Sequence, residues 1–99
     1  MVAYLYRWKI KLGQEERFRT SWTALTKAMR AECGSLGSRL HLANDGTWVG
    51  YAQWPDQNSR NSCKVNDPAA VLAQTEMKET IEESFPALIL DVKDDFLVD

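Results

Sequence analysis

An α+β fold of the order β-α-β-β-α-β, with a four-stranded antiparallel sheet carrying both helices on one face, is what the 99-residue sequence predicts. Three observations predict it. Apolar residues recur with a period of two in three stretches and with a helical period in two others. Asp45-Gly46 lies between two alternating runs, a strong hairpin signal. Gly13, Gly34 and Pro86 stand where the period changes.

Residues 2–12 alternate, with Val2, Tyr4, Tyr6, Trp8 and Ile10 on one face and Ala3, Leu5, Arg7, Lys9 and Lys11 on the other. That is a strand, broken by Gly13. Over residues 14–33, Phe18, Trp22, Leu25 and Met29 form one stripe of an amphipathic helix. Glu15 and Glu16 suit its first turn, and Gly34 suits its stop. Residues 36–43 alternate again, Leu36, Ser38, Leu40 and Leu42 against Gly37, Arg39, His41 and Ala43, and residues 47–54 return after the Asp-Gly turn. Pro55 to Asn66 reads as a polar loop with room for one short helical turn. Asp67-Pro68 opens a second helix, as N-cap and first helical residue. Its inward stripe is read as Ala70, Gln74, Met77, Ile81 and Phe85, with Pro86 ending it. Residues 87–93 form the last strand, which the tail Asp94–Asp99 is able to extend.

This is the ferredoxin-like split βαβ arrangement. One sheet face carries the helices and the other has no cover within the chain. Apolar residues on that bare face predict a partner, most simply a second copy.

Composition excludes several classes. Hydrophobic residues make up 44% and charged residues 26%, as in a globular chain that buries one core. The net charge is −2, and the only basic cluster is Arg7, Lys9 and Lys11, too small for a sequence-independent nucleic-acid face. No apolar run approaches the roughly 20 residues of a membrane span. The charged alternation at the start is unlike a secretory signal, so a cytoplasmic protein is expected. Cys33 and Cys63 form no CxxC motif and His41 is the only histidine, so a four-ligand zinc site is not available and no metal is expected. In a reducing compartment the two cysteines are expected to be free buried thiols.

The segments Arg7–Phe18, Gly34–His41 (Gly-Ser-Leu-Gly-Ser-Arg-Leu-His) and Trp48–Trp54 (Trp-Val-Gly-Tyr-Ala-Gln-Trp), in this order and spacing, resemble the antibiotic-biosynthesis-monooxygenase-like family of the dimeric α+β barrel superfamily. The resemblance runs over nearly the whole chain, as one domain over 1–99. Leu12 departs from it, where relatives often carry Pro. The resemblance implies a homodimer whose two sheets face each other as a barrel. It also implies an apolar pocket in each subunit between sheet and helices. Some relatives oxidise polycyclic phenols with molecular oxygen and no cofactor. The haem-degrading branch resembles a different pattern. Its Asn position falls on Tyr6, and Asp56–Phe85 holds neither the expected His nor the Trp, so haem iron lacks its axial ligand here.

A cofactor-free oxygenase needs a pocket that binds a flat ring, helps remove a proton and holds the resulting anion. Tyr4, Tyr6, Trp8 and Trp22 are the expected ring-binding residues, with Phe18 beside them, and the same stripe also reads as ordinary core. Gln74 falls on an otherwise apolar stripe, where a buried amide must find a partner or a ligand. Tyr6 and His41 are the candidates for catalysis. The parity of His41, shared with Arg39, points it at the bare face instead. Arg7 has the same parity, with Asp91 or a Glu across an interface as its expected partner, or an anion held there. Trp48 and Trp54 share a face with Gly50 and Ala52, which leaves a notch for a ligand or a partner. Tyr51 competes from the other face. The expected function is a cofactor-independent monooxygenase on an aromatic or phenolic small molecule. The alternatives are a non-catalytic binding module or a purely structural dimer.

Overall fold

Residues 1–97 are described by a computed structural model, whose elements are β1 (Val2–Ile10), α1 (Glu15–Cys33), β2 (Gly37–Leu42), β3 (Trp48–Trp54), α2 (Gln57–Asn61), α3 (Pro68–Thr80), β4 (Ile81–Ser84) and β5 (Leu88–Asp91). The local signals act where the sequence places them. Gly34 closes α1 in the left-handed conformation at φ 77°. In the β2–β3 hairpin, Asp45 Oδ1 accepts from the backbone N–H of Thr47 at 2.9 Å and from its hydroxyl at 2.7 Å. Gly46 takes the positive φ, 90°, that the turn requires.

The fold is α+β with a five-stranded antiparallel sheet, β2-β3-β1 in order, and with β4 and β5 both beside the outer edge of β1. Registers are antiparallel throughout: Tyr4 faces Ala52, Tyr6 faces Gly50 and Trp8 faces Trp48 across β1 and β3. Arg39 faces Tyr51 and His41 faces Val49 across β2 and β3. Because side chains alternate, Tyr4, Tyr6, Trp8, Trp48, Gly50, Ala52 and Trp54 share one face. That face meets α1, where Phe18 is fully buried and edge-on to both Trp8 and Trp48, 5.4 and 5.7 Å between ring centres. The face of Trp48 and Trp54 is therefore the helix side. Leu5, Arg39, His41, Val49 and Tyr51 lie on the bare side.

The structure corrects the sequence in three places. The second helix stops at Thr80, not at Pro86, and Ile81 is already extended at its C-cap. Residues 81–84 instead pair with Trp8–Ile10, with a bulge between Lys9 and Ile10. β5 then pairs with Val2–Leu5, and the Phe85 amide donates to the Arg7 carbonyl at 3.0 Å between the two. The last strand is thus one edge along the whole of β1, broken around Pro86. The unpaired groups of β1 outweigh the helical stripe, and β-branched Thr80 and Ile81 yield readily. Second, Cys33 and Cys63 are disulfide-bonded rather than free, their Cα atoms 5.3 Å apart. Third, the tail carries no strand through Leu97, and Val98 and Asp99 lie outside the described residues. Within its own chain Arg7 lies 3.9 Å from Asp45 and over the Phe85 ring at 4.9 Å, and Asp91 pairs with Lys93 at 2.9 Å.

Candidate functional site

A cavity of about 300 Å³ opens between the helix-side face of the sheet and helices α1 and α3. Its floor comes from the strand face: Tyr6, Trp8, Gly50, Ala52 and Trp54. Trp22, Leu25 and Met29 line it from α1, and Gln74 and Met77 from α3. Trp22 and Met29 are only half-buried, although they belong to the stripe of Phe18 and Leu25. They border the cavity instead of filling a core.

Aromatic rings dominate the floor. Tyr6 lies nearly parallel to Tyr4 and to Trp8, with ring centres 6.1 and 5.7 Å apart and interplanar angles of 15° and 14°. Such a row makes an apolar aromatic wall for a ligand. The notch expected beside Gly50 is partly closed by the chain itself. A Cβ at Gly50 would come within 2.8 Å of Trp8 Cη2, so the indole of Trp8 already lies over that position.

The polar groups are few. Arg60, on α2, donates from Nε to Tyr6 Oη at 3.0 Å. Its guanidinium also stacks over the rings of Tyr4 and Trp54, at 5.6 and 6.0 Å from their centres. No carboxylate pairs with Arg60 among the described residues. Lys78 and Ser38 also line the cavity, and its described lining holds no carboxylate and no imidazole. Among the described residues no three of His, Cys, Asp and Glu gather as they would around a metal ion.

α2 exists because Asp56 caps it. Asp56 Oδ1 accepts from the Ser59 amide at 2.7 Å, and that bond holds the carboxyl below its ordinary range. The sequence reading missed Arg60 because it lies in a polar stretch with no apolar period. The available signal was local: Asp56, a good N-cap acceptor, two residues after Trp54, with the Ser59 amide three residues later as the donor.

The candidates from sequence separate. Tyr6, Trp8 and Trp22 come together at the cavity. Tyr4 is not in the lining. It is buried in a cluster with Val2, Ala52 and Trp54, and its hydroxyl has no hydrogen-bond partner. Gln74 lines the cavity but is exposed, so it stands at the rim and is not a buried amide. The buried positions of α3 are Ala70, Ala73 and Thr80, and Gln74 is turned about 100° from Ala73. His41 is exposed on the bare side, with Nδ1 3.2 Å from the Val49 carbonyl oxygen, and does not reach the cavity.

Residues 1–62 match the family model described as antibiotic biosynthesis monooxygenase. No curated protein matches the chain. Among solved structures it is similar to Rv0793 from Mycobacterium tuberculosis, at 18% identity and TM-score 0.76 over 97% of this chain and 98% of that one. It is also similar to SnoaB, a cofactor-independent oxygenase from Streptomyces nogalater, at 14% identity and TM-score 0.77 over 96% and 95%. A conserved protein from Methanosarcina mazei gives 14% identity and TM-score 0.75 over 93% and 92%. At these identities the structural likeness establishes the shared fold. No helix among the described residues is long and apolar enough to cross a membrane.

Proposed function

The chain belongs to the antibiotic biosynthesis monooxygenase family, and from that membership we propose that it is a cofactor-independent monooxygenase acting on a phenolic aromatic small molecule, its 99 residues forming one domain. The observation that carries the reading is the Tyr6–Arg60 pair at the wall of an aromatic cavity. A cavity of about 300 Å³ is twice the roughly 150 Å³ that encloses a benzene, which suits a molecule of two fused rings.

The chemistry asked of the protein is modest. A phenol and one molecule of oxygen give a quinone and one water, with no added reductant. The difficult step is electron release to oxygen, which the phenolate performs and the phenol does not. Tyr6 Oη accepts from Arg60 and so keeps its own O–H free to donate to a ligand oxygen. The guanidinium beside it favours negative charge on that oxygen in a low-dielectric site. Trp8, Trp22 and Trp54 hold the ring system flat and exclude water. The substrate's own proton leaves to solvent, since no carboxylate or imidazole lines the described cavity wall.

That last observation favours a second reading, a module that binds aromatic ligands without turning them over. Oxygen-electrode measurements with 1-naphthol and dihydroxynaphthalenes separate the two. Uptake of oxygen with quinone formed, reduced about 10²-fold in Tyr6→Phe and Arg60→Ala, is the expected result, the loss being that of a single donor at a developing anion. Saturable quenching of tryptophan fluorescence without oxygen uptake would overturn catalysis in favour of binding.

The bare sheet face is proposed to meet its counterpart in a second copy. Leu5, Val49, Tyr51, Leu88 and Leu90 place apolar side chains there with no helix above them.

A further inference from the structure

Residues 55–67 connect β3 to α3 and supply Arg60 to the cavity, yet no residue in the segment is buried. Two hydrogen bonds and a disulfide hold it in place, beside the stacking of the Arg60 guanidinium over Tyr4 and Trp54 and the packing of Cys63 against the cluster of Val2, Tyr4, Ala52 and Trp54. Arg60 donates to Tyr6 Oη at 3.0 Å. The Asn66 amide donates to Glu32 Oε1 at 3.3 Å on the surface. The disulfide joins Cys63 to Cys33, the last residue of α1. Only the last is covalent, and water competes for the first two. A segment with few buried groups opens at low cost unless a tether prevents it.

Both cysteines are half-buried, packed on one side against the cluster of Val2, Tyr4, Ala52 and Trp54 and open on the other, where an attacking thiolate can reach them. Both also lie outside the sheet, at a helix end and in the connecting segment. Opening the bond removes the covalent tether on Arg60 and takes away none of the hydrogen bonds that pair the strands.

We infer that the Cys33–Cys63 disulfide is a redox latch on the cavity: oxidised, it holds Arg60 against Tyr6; reduced, it frees segment 55–67 and the cavity loses that wall. The inference rests on the reading of the cavity as a binding site. The reductant is a dithiol. One thiolate attacks a cysteine sulfur to form a mixed disulfide, and the second thiol displaces it. The protein's S–S bond breaks and the reductant's forms. Cys33 and Cys63 take up two electrons and two protons.

The test compares the full chain as oxidised and after dithiothreitol, the state of each sample being fixed by the mass gain of about 2 Da on reduction. Hydrogen exchange reads the latch without any ligand. Exchange in 56–66 is expected to rise at least about tenfold on reduction while β1 and β3 stay protected. Unchanged exchange in 56–66 overturns the latch. So does complete loss of protection across β1 and β3, which would make the bond a staple without which the fold does not stand. So does a chain that forms no disulfide under mild oxidant. Quenching of tryptophan fluorescence by 1-naphthol reads the cavity. If the freed segment closes about a tenth of the time, the apparent Kd rises about tenfold on reduction. Arg60→Ala should bind as weakly when oxidised and lose its response to reduction. An oxidised wild-type chain that does not bind 1-naphthol overturns the binding reading, and the exchange data alone then decide the latch. A double Cys33→Ser, Cys63→Ser variant should match the reduced chain in both measurements, and a mismatch counts against the latch.

Discussion

Gly50 is a glycine because the Trp8 ring lies where its side chain would be. A Cβ there would sit 2.8 and 3.0 Å from two ring carbons of Trp8, and that ring is wedged edge-on against Phe18. Gly50→Ala should therefore displace Trp8 and cost about 1–3 kcal/mol, measured by urea unfolding with tryptophan emission as the second readout. Tyr4 presents the opposite case. Its hydroxyl is buried without a partner, a cost the fold carries with no visible return. Tyr4→Phe should be neutral or stabilise by about 1 kcal/mol in the same assay. Asp45 makes a prediction in pH. Thr47's hydroxyl and amide, and then Arg7, hold its carboxyl below the ordinary value. A lowered folded value gives stability that is present above the unfolded pKa of about 3.9 and lost as pH falls through the folded one. Asp45→Asn should flatten that part of the acid limb in a stability-against-pH series. These effects were only partly legible in the sequence. The Asp-Gly turn was readable because its chemistry is local. The overlap of Trp8 with Gly50 was not, because it joins positions 42 residues apart across a strand pair.

Elements were legible where one period ran long. β1 and α1 each carry a single stripe over two turns or more, and the structure keeps both. The end of α3 was misread because the helical stripe continues in the sequence through Phe85, while the sheet claims Ile81–Ser84 for the open edge of β1. Periodicity sees one segment, and strand pairing is decided by two. The disulfide was misread for a similar reason. Spacing of 30 residues carries no information until α1 and the β3–α3 connection are placed side by side. Its weight is considerable. A cross-link closing a loop of that length stabilises by roughly 3–4 kcal/mol in the chain-entropy model. The double cysteine variant should lose about that much in denaturant unfolding and still fold, since domains of this size hold roughly 5–15 kcal/mol. By comparison, the exposed Arg17–Glu79 pair between α1 and α3, at 2.7 Å, contributes little.

At the scale of the molecule, the surface is larger than the scaling for a compact monomer gives. The accessible area is 6758 Å², while a monomer of this mass is expected to show about 5,700 Å². The excess, about 1,000 Å², is near the roughly 800 Å² that each partner buries in a standard interface. The bare sheet face and the 92–97 tail beside it carry much of it, with Phe96 and Leu97 largely exposed. Light scattering at about micromolar concentration should give a dimer, consistent with an interface of that size. Leu88→Glu, at a position 55% exposed, should shift the mass toward the monomer while leaving the circular dichroism unchanged. A wild-type monomer would overturn the barrel.

The broken edge along β1 bears on what such a protein does when crowded. A continuous free strand invites the next molecule to add on, and the addition repeats without limit. Here the outer edge is interrupted at Phe85–Ala87, contains a proline that donates nothing, and carries Glu82 and Glu83. Lateral growth is blocked on that side. The break between β4 and β5 thereby guards one flank of the sheet, while the outer side of β2, which pairs only with β3, keeps backbone groups that no strand of the sheet takes up.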